Sequence, residues 1–315
     1  MANASFLWEQ GSDFHHVSEY AGRFEAPWGE QGQLYLSGRP ALNALLEYLR
    51  KKLEIRNIWL PAYYCDQVVY PLLDRGFACT YYDGSPETGW SIDLGALQRG
   101  DVLIANSFFG IDLLPAATLG QVQEMGVIVI EDHSHDPFGV LAWNSRAEYC
   151  FASLRKTLPF PDGGVLWSPQ RRSLPEPVAI QAPVSTERVA AMLAKRAYLR
   201  AEFSDKALFR SWYAASEHAI DHAPIAAMSV YSQRLAEAFD VGAWRQARAR
   251  NHRLLCTLVT HPTLKLLHLD LSDLAPMGLI VLCPDHSSRE DLKTHLISRS
   301  IYPAVLWPLV PGMPP

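Results

Sequence analysis

From residue 39 onward the apolar positions of the chain alternate between two spacings. In PALNALLEYLRKKL (40–53), Leu42, Leu45, Leu46, Leu49 and Leu53 recur every three or four residues and so share one stripe of a helix. Pro40 stands where a fixed φ and a missing N–H suit the first helical turn. Short apolar runs follow at NIWLP (57–61), FACTYY (77–82), DVLIANS (101–107), GVIVIED (126–132), YCFAS (149–153) and GGVLW (163–167), each bounded by turn residues. They suit buried strands, and polar or helical stretches of about 10 to 20 residues separate most of them. Strands alternating with helices predict an α/β domain.

The pattern changes at SLPEPVAIQAP (173–183), whose spaced prolines predict a crossing linker. Beyond it, 186–220 and 230–260 read as long helices, the second interrupted near Gly242, and 264–315 carries a weaker mixture of strand and helix spacing. Residues 1–182 are thus expected to form a large domain with an N-terminal arm, and 183–315 interdomain helices with a small C-terminal domain. No internal repeat or coiled-coil heptad competes with this plan.

Composition narrows the function classes. A chain of 315 residues, 49% of them hydrophobic, can bury a core large enough for an enzyme. Its 28 Lys and Arg are scattered among 33 Asp and Glu, giving a net charge of -5 and no basic stripe for nucleic acid. The N-terminus MANASFLWEQGSDFHH lacks the basic start and apolar centre of a signal peptide, and no apolar run approaches the ~18 residues of a membrane span. A cytoplasmic protein is expected. Cys65, Cys79, Cys150, Cys256 and Cys283 are odd in number and widely spread, so they read as reduced residues and not as a disulfide frame or a zinc site.

Polar clusters stand where open α/β sheets place their ligands, at strand ends and helix starts. In SGRPAL (37–42) a small residue and a glycine precede the strong helix, where free N–H groups and the helix dipole can hold a phosphate. Neither GxxxxGK[ST] nor GxGxxG occurs, which removes the nucleotide P-loop and the dinucleotide fingerprint. In EDHSHD (131–136) a strand delivers Glu131 and Asp132 to its end, with His133, His135 and Asp136 beyond. Such a carboxylate can pair with a protonated ring nitrogen, while His133, His135 and Asp136 together also fit the metal centre of a hydrolase. In SLRKTLPFPDGG (153–164), Lys156 follows a strand and precedes a turn closing on Gly163 and Gly164. A lysine amine forms Schiff bases when a neighbouring cation or desolvation lowers its pKa, and Arg155 is adjacent.

The order of these pieces, with an aromatic PxYY segment (61–64) between the first and second, resembles the DegT/DnrJ/EryC1/StrS family of sugar aminotransferases. The resemblance runs from about Ser37 to Trp307 and includes MSVYSQRL (228–235), RARNHRLL (248–255) and SIYPAVLWPL (300–309). It implies a fold-type I pyridoxal phosphate (PLP) enzyme, with a three-layer α/β/α domain on a mostly parallel sheet and a smaller C-terminal α+β domain. By the same resemblance, Lys156 would carry the cofactor as a Schiff base and then act as the base that moves the substrate proton. Gly38 and Arg39 would offer backbone N–H groups to its phosphate, and Ser153 a hydroxyl. Asp132 would keep the pyridine nitrogen protonated, His135 would lie near the ring hydroxyl or face, and Tyr63 or Tyr64 would stack on the ring. The implied reaction moves an amino group from an amino acid, glutamate, to a keto sugar, nucleotide-linked, in a homodimer.

The chain also departs from the family pattern. The family's usual aromatic falls at Cys65, its GEGG turn is PDGG (161–164), and the asparagine that reaches a partner's phosphate is missing from HAPIAAM (222–228). Relatives continue beyond the point where PGMPP ends this chain, which reads as a truncation or as a shortened protein. Relatives with histidine at the lysine position are dehydratases, so Lys156 favours transamination. The competing readings are a PLP-binding homologue without transaminase activity and the metal hydrolase.

Overall fold

A computed structural model of the chain describes residues 7–17, 22, 24–110, 114–178, 184–267 and 275–307. The expected boundary at 182/183 and the expected truncation beyond PGMPP lie outside these residues. The strands are β1 (Gln33–Tyr35), β2 (Ile58–Pro61), β3 (Cys79–Ser85), β4 (Gly89–Ser91), β5 (Val102–Asn106), β6 (Ile128–Asp132), β7 (Tyr149–Ser153) and β8 (Gly164–Trp167). They form one sheet in the order β1-β8-β7-β6-β5-β2-β3-β4. The neighbours from β3 through β2, β5 and β6 to β7 run parallel, while β1, β8 and β4 join antiparallel at the two margins. Each apolar run expected to be a strand is one, and the sheet is mostly parallel.

The central strands are apolar on both faces because both faces are covered. Every residue of β5 and of β7 is buried. Helix α1 (Gly38–Lys52) turns Leu42, Leu45, Leu46 and Leu49 onto one face, against Ile58, Ile104, Ile130, Phe151 and Leu166. The opposite face packs Leu103, Val129, Cys150, Ala152 and Val165 with Leu119 and Val122 of α3 (Ala116–Glu124). Between α1 and α3 lies α2 (Asp66–Asp74), and after β6 comes the short α4 (Val140–Asn144). Side chains alternate along a strand, so Ile130 and Asp132 belong to the α1 face and Val129, Glu131 and His133 to the other.

Two expectations are corrected in detail. The stretch read as one helix over 186–220 is two, α5 (Val184–Leu199) and α6 (Lys206–Asp221), parted where Ala201 takes a left-handed φ of 57° and Asp205 caps the second helix. The break in 230–260 falls at Phe239 and Asp240, between α7 (Val230–Ala238) and α8 (Val241–Leu258), with the Asp240 carboxylate accepting from the Ala243 N–H. The C-terminal part holds the strand pair β9 (Lys265–Leu266) and β10 (Val281–Leu282), then α9 (His286–Ser298). No helix of the described residues is long and apolar enough to cross a membrane.

Candidate active site

At the carboxyl end of β6, Asp132 is buried, and both oxygens of its carboxylate are held. One accepts from the Tyr64 hydroxyl at 2.7 Å and the other from the Ser134 N–H at 2.9 Å. Burial and the neighbouring Asp132 push the Tyr64 phenol well above its usual pKa, so it stays a donor. The two tyrosines of PAYY are placed differently: Tyr64 is fully buried and supports Asp132. Tyr63 is half-buried and faces the rings of Phe108 and Trp307, at 5.6 and 5.2 Å.

His135 lies between two aromatic planes, stacked on Phe109 at 5.0 Å and on Trp307 at 5.5 Å. Its Nδ1 accepts from the Phe109 N–H at 3.2 Å, which leaves the ring proton on Nε2. Burial, with the charge of Lys156, pushes its pKa well below 6.5, so the imidazole is neutral near pH 7. Phe109 makes that contact from a left-handed backbone (φ 55°), a conformation that costs a bulky residue about 1–2 kcal/mol. The contact with His135 offsets that strain.

Lys156 ends a 3-10 turn (Leu154–Lys156) directly after β7 and is exposed. Its Nζ stands 5.9 Å from the centre of the Trp307 ring. The adjacent Arg155 does not serve Lys156: its guanidinium turns away and makes two bonds to Glu217, at 2.6 and 2.5 Å.

Beside Lys156 is the amino end of α1. Ser37 is extended (φ -158°), and its buried Oγ has no partner. A Cβ added at Gly38 would stand 3.2 Å from Cβ and N of Ser153, so the helix start is seated on the end of β7. Ser153 is buried there, its N–H donating to Ser134 Oγ at 3.0 Å. Arg39 sends its side chain to Asp221 at the end of α6, leaving only its main chain for the site. Free first-turn N–H groups and an orphaned buried hydroxyl are what an anionic group at this helix start would satisfy.

The structure thus gathers Gly38, Tyr63, His135, Ser153 and Lys156 around the strand ends, with Asp132 on Tyr64 below. Trp307, common neighbour of Tyr63, Tyr64, Phe108, His135 and Lys156, was not anticipated as a site residue. The HxHD metal reading is overturned. His133 turns to Glu131, His135 to Phe109 and Trp307, and Asp136 to Arg245, so no shared centre forms among them. In the PDGG turn, buried Asp162 accepts from the Ser229 N–H and from the hydroxyls of Ser229 and Ser232, which anchors the start of α7.

No protein-family model matches the chain, and no curated protein matches it in sequence. Solved structures do resemble it. A Streptococcus pneumoniae protein in its PLP form gives a TM-score of 0.56 at 13% identity, covering 89% of this chain and 74% of that one. A DegT DnrJ EryC1 StrS aminotransferase from Brucella abortus gives 0.52 at 12% identity, covering 88% and 71%. DesV of S. venezuelae, in complex with a ketimine intermediate, gives 0.52 at 17% identity, covering 90% and 74%. At such identities the likeness is one of architecture: the chain has the fold of the fold-type I PLP-dependent transferases.

Proposed function

We propose that the chain is a PLP-dependent aminotransferase. The observation that carries this reading is the convergence, at the ends of the central strands β6 and β7, of an exposed lysine amine, a buried and fully hydrogen-bonded carboxylate, and a helix start with an unpartnered hydroxyl. These residues suit the parts of the cofactor, whose chemistry when bound is to withdraw electrons from the substrate's α-carbon. The Gly38 and Arg39 N–H groups with the Ser37 and Ser153 hydroxyls would hold the phosphate. Asp132 would hold a proton on the ring nitrogen. Lys156 would bind the aldehyde carbon and, once the donor amine displaces it, would be the base that takes the proton from the substrate's α-carbon and delivers it to that aldehyde carbon.

The amino donor is proposed to be an amino acid, glutamate, and the acceptor a keto sugar, nucleotide-linked. A homodimer is proposed as the working form. Support comes from the shared architecture and from the lysine that follows β7, near the end of β6 that carries Asp132. Borohydride reduction of the purified protein with PLP, followed by peptide mapping, tests the central point. The pyridoxyl group is expected on Lys156, and its attachment elsewhere, or not at all with cofactor in excess, would overturn the proposal. Amine transfer from glutamate to a keto-sugar nucleotide then separates an enzyme from a homologue that binds the cofactor without turnover.

A further inference from the structure

Strand β6 sends its last residues to opposite faces of the sheet, and the face away from Asp132 holds a second polar cluster. Glu131 on β6 and His133 just past its end are two apart and lie on one side, and Cys150 of β7 is the residue directly paired with Glu131. His133 Nε2 is 2.9 Å from Glu131 Oε2, and Cys150 Sγ is 3.8 Å from the same oxygen. One donor atom from each of the three residues lies within 4.8 Å of the other two. Ser145 Oγ adds an oxygen 3.1 Å from Cys150 Sγ.

The geometry points to a binding site for one thiophilic divalent cation of the Zn2+ type, held by Glu131 Oε2, His133 Nε2 and Cys150 Sγ, with Ser145 Oγ or water as the fourth donor. Imidazole, thiolate and carboxylate are the usual protein ligands of such an ion, at about 2.0–2.3 Å. Atoms bonded to one ion stand no further apart than two such bonds, about 4.3 Å. The oxygen-nitrogen and oxygen-sulfur pairs meet that limit already. Glu131 and Cys150 are fixed on two paired central strands and His133 is buried just past one of them, so little order remains to be imposed on binding. Cys150 and His133 are buried, and Glu131 keeps 17% of its side chain exposed, which gives the ion a way in. Loading replaces the thiol proton of Cys150 by the metal and releases it to solvent. Closed off from substrate, the ion would tie β6 to β7 behind Asp132 and have no hydrolytic role. This site is independent of the aminotransferase reading.

The experiment is Co2+ titration of the purified, chelator-treated full chain, followed by absorbance, with Zn2+ competition. One equivalent of Co2+ is expected to give a thiolate-to-cobalt charge-transfer band that Zn2+ abolishes. The Cys150→Ser variant should lose the band, and Glu131→Gln should weaken binding roughly tenfold or more. Sulfur in the metal's coordination shell, read from X-ray absorption of the wild-type protein, keeps the test valid should Cys150→Ser fail to fold. Absence of a band in the wild type, a band that survives Cys150→Ser, or a shell without sulfur would each overturn the site and leave a hydrogen-bonded Glu-His-Cys cluster.

Discussion

The pair Tyr64 and Asp132 shows how much one side chain can depend on a distant one. The two are 68 residues apart, and nothing in PAYYCDQ signals that the second tyrosine goes under the site while the first faces into it. Periodicity marks which face a residue takes, but not which hydrogen bond it makes. Tyr64→Phe removes a donor from a buried carboxylate, and the expected loss is about 1–3 kcal/mol in denaturant unfolding. Asp132→Asn should leave the fold intact and, on the proposed reading, lower transamination by roughly a hundredfold or more, since an amide cannot hold the ring proton. Wild-type turnover in Asp132→Asn would sever Asp132 from the chemistry. The places of Asp132 and Lys156, by contrast, were legible in the chain, because one ends an unmistakable apolar strand and the other stands three residues after one.

At the scale of elements, what the sequence made plain was what is buried on both sides. The runs that became β5, β6 and β7 have no polar alternation to confuse them with surface segments, and α1 declares itself through its leucines. Strands β1 and β4 span three residues each, QLY and GWS, too short for any period to show. The break between α5 and α6 is made at Ala201 in a left-handed turn, without the glycine or proline that usually announces one. The seat of α1 on the sheet is tighter than any pattern could suggest. A Cβ at Gly164 would lie 2.1 Å from the carbonyl carbon of Ser37, so Gly164→Ala must push the helix start off β8. The expected cost is about 1–3 kcal/mol of stability, read from a thermal melt, with weaker cofactor retention beside it. A variant as stable as the parent would show that this junction yields.

For the whole molecule, acid is expected to act in two separable ranges. The folded chain keeps His135 neutral where the unfolded chain protonates it, so stability should begin to fall as pH drops below about 6.5. Against burial that would raise them, hydrogen bonds from Lys206, Ser12 and Lys195 hold Glu9 at about 2, and Arg155, with Arg188 and Arg39 nearby, holds Glu217 at about 2. Their contribution is present above pH 4.5 and is lost as pH falls from 4.5 toward 2. Glu9 joins the N-terminal segment to α5 and α6 through Lys195 and Lys206, and burial holds His15 and His16 of the same segment below 6.5. That segment should therefore loosen in two steps, first below about 6.5 as the histidines protonate and then from 4.5 toward 2 as Glu9 does. Limited proteolysis across pH would show it, and a segment as resistant at pH 3 as at pH 8 would contradict the assignment.

Trp307 gives the molecule a colour-sensitive gauge at its centre. An indole stacked on His135 and 5.9 Å from the Lys156 amine emits light in the range where a bound pyridoxal chromophore absorbs. Filling the site should therefore dim that emission by energy transfer before any product is made. The chain has 9 tryptophans, so the signal must be taken as the difference between the parent and Trp307→Phe. In that difference spectrum, arrival of the cofactor beside Trp307 becomes visible in a cuvette, in real time and without a substrate.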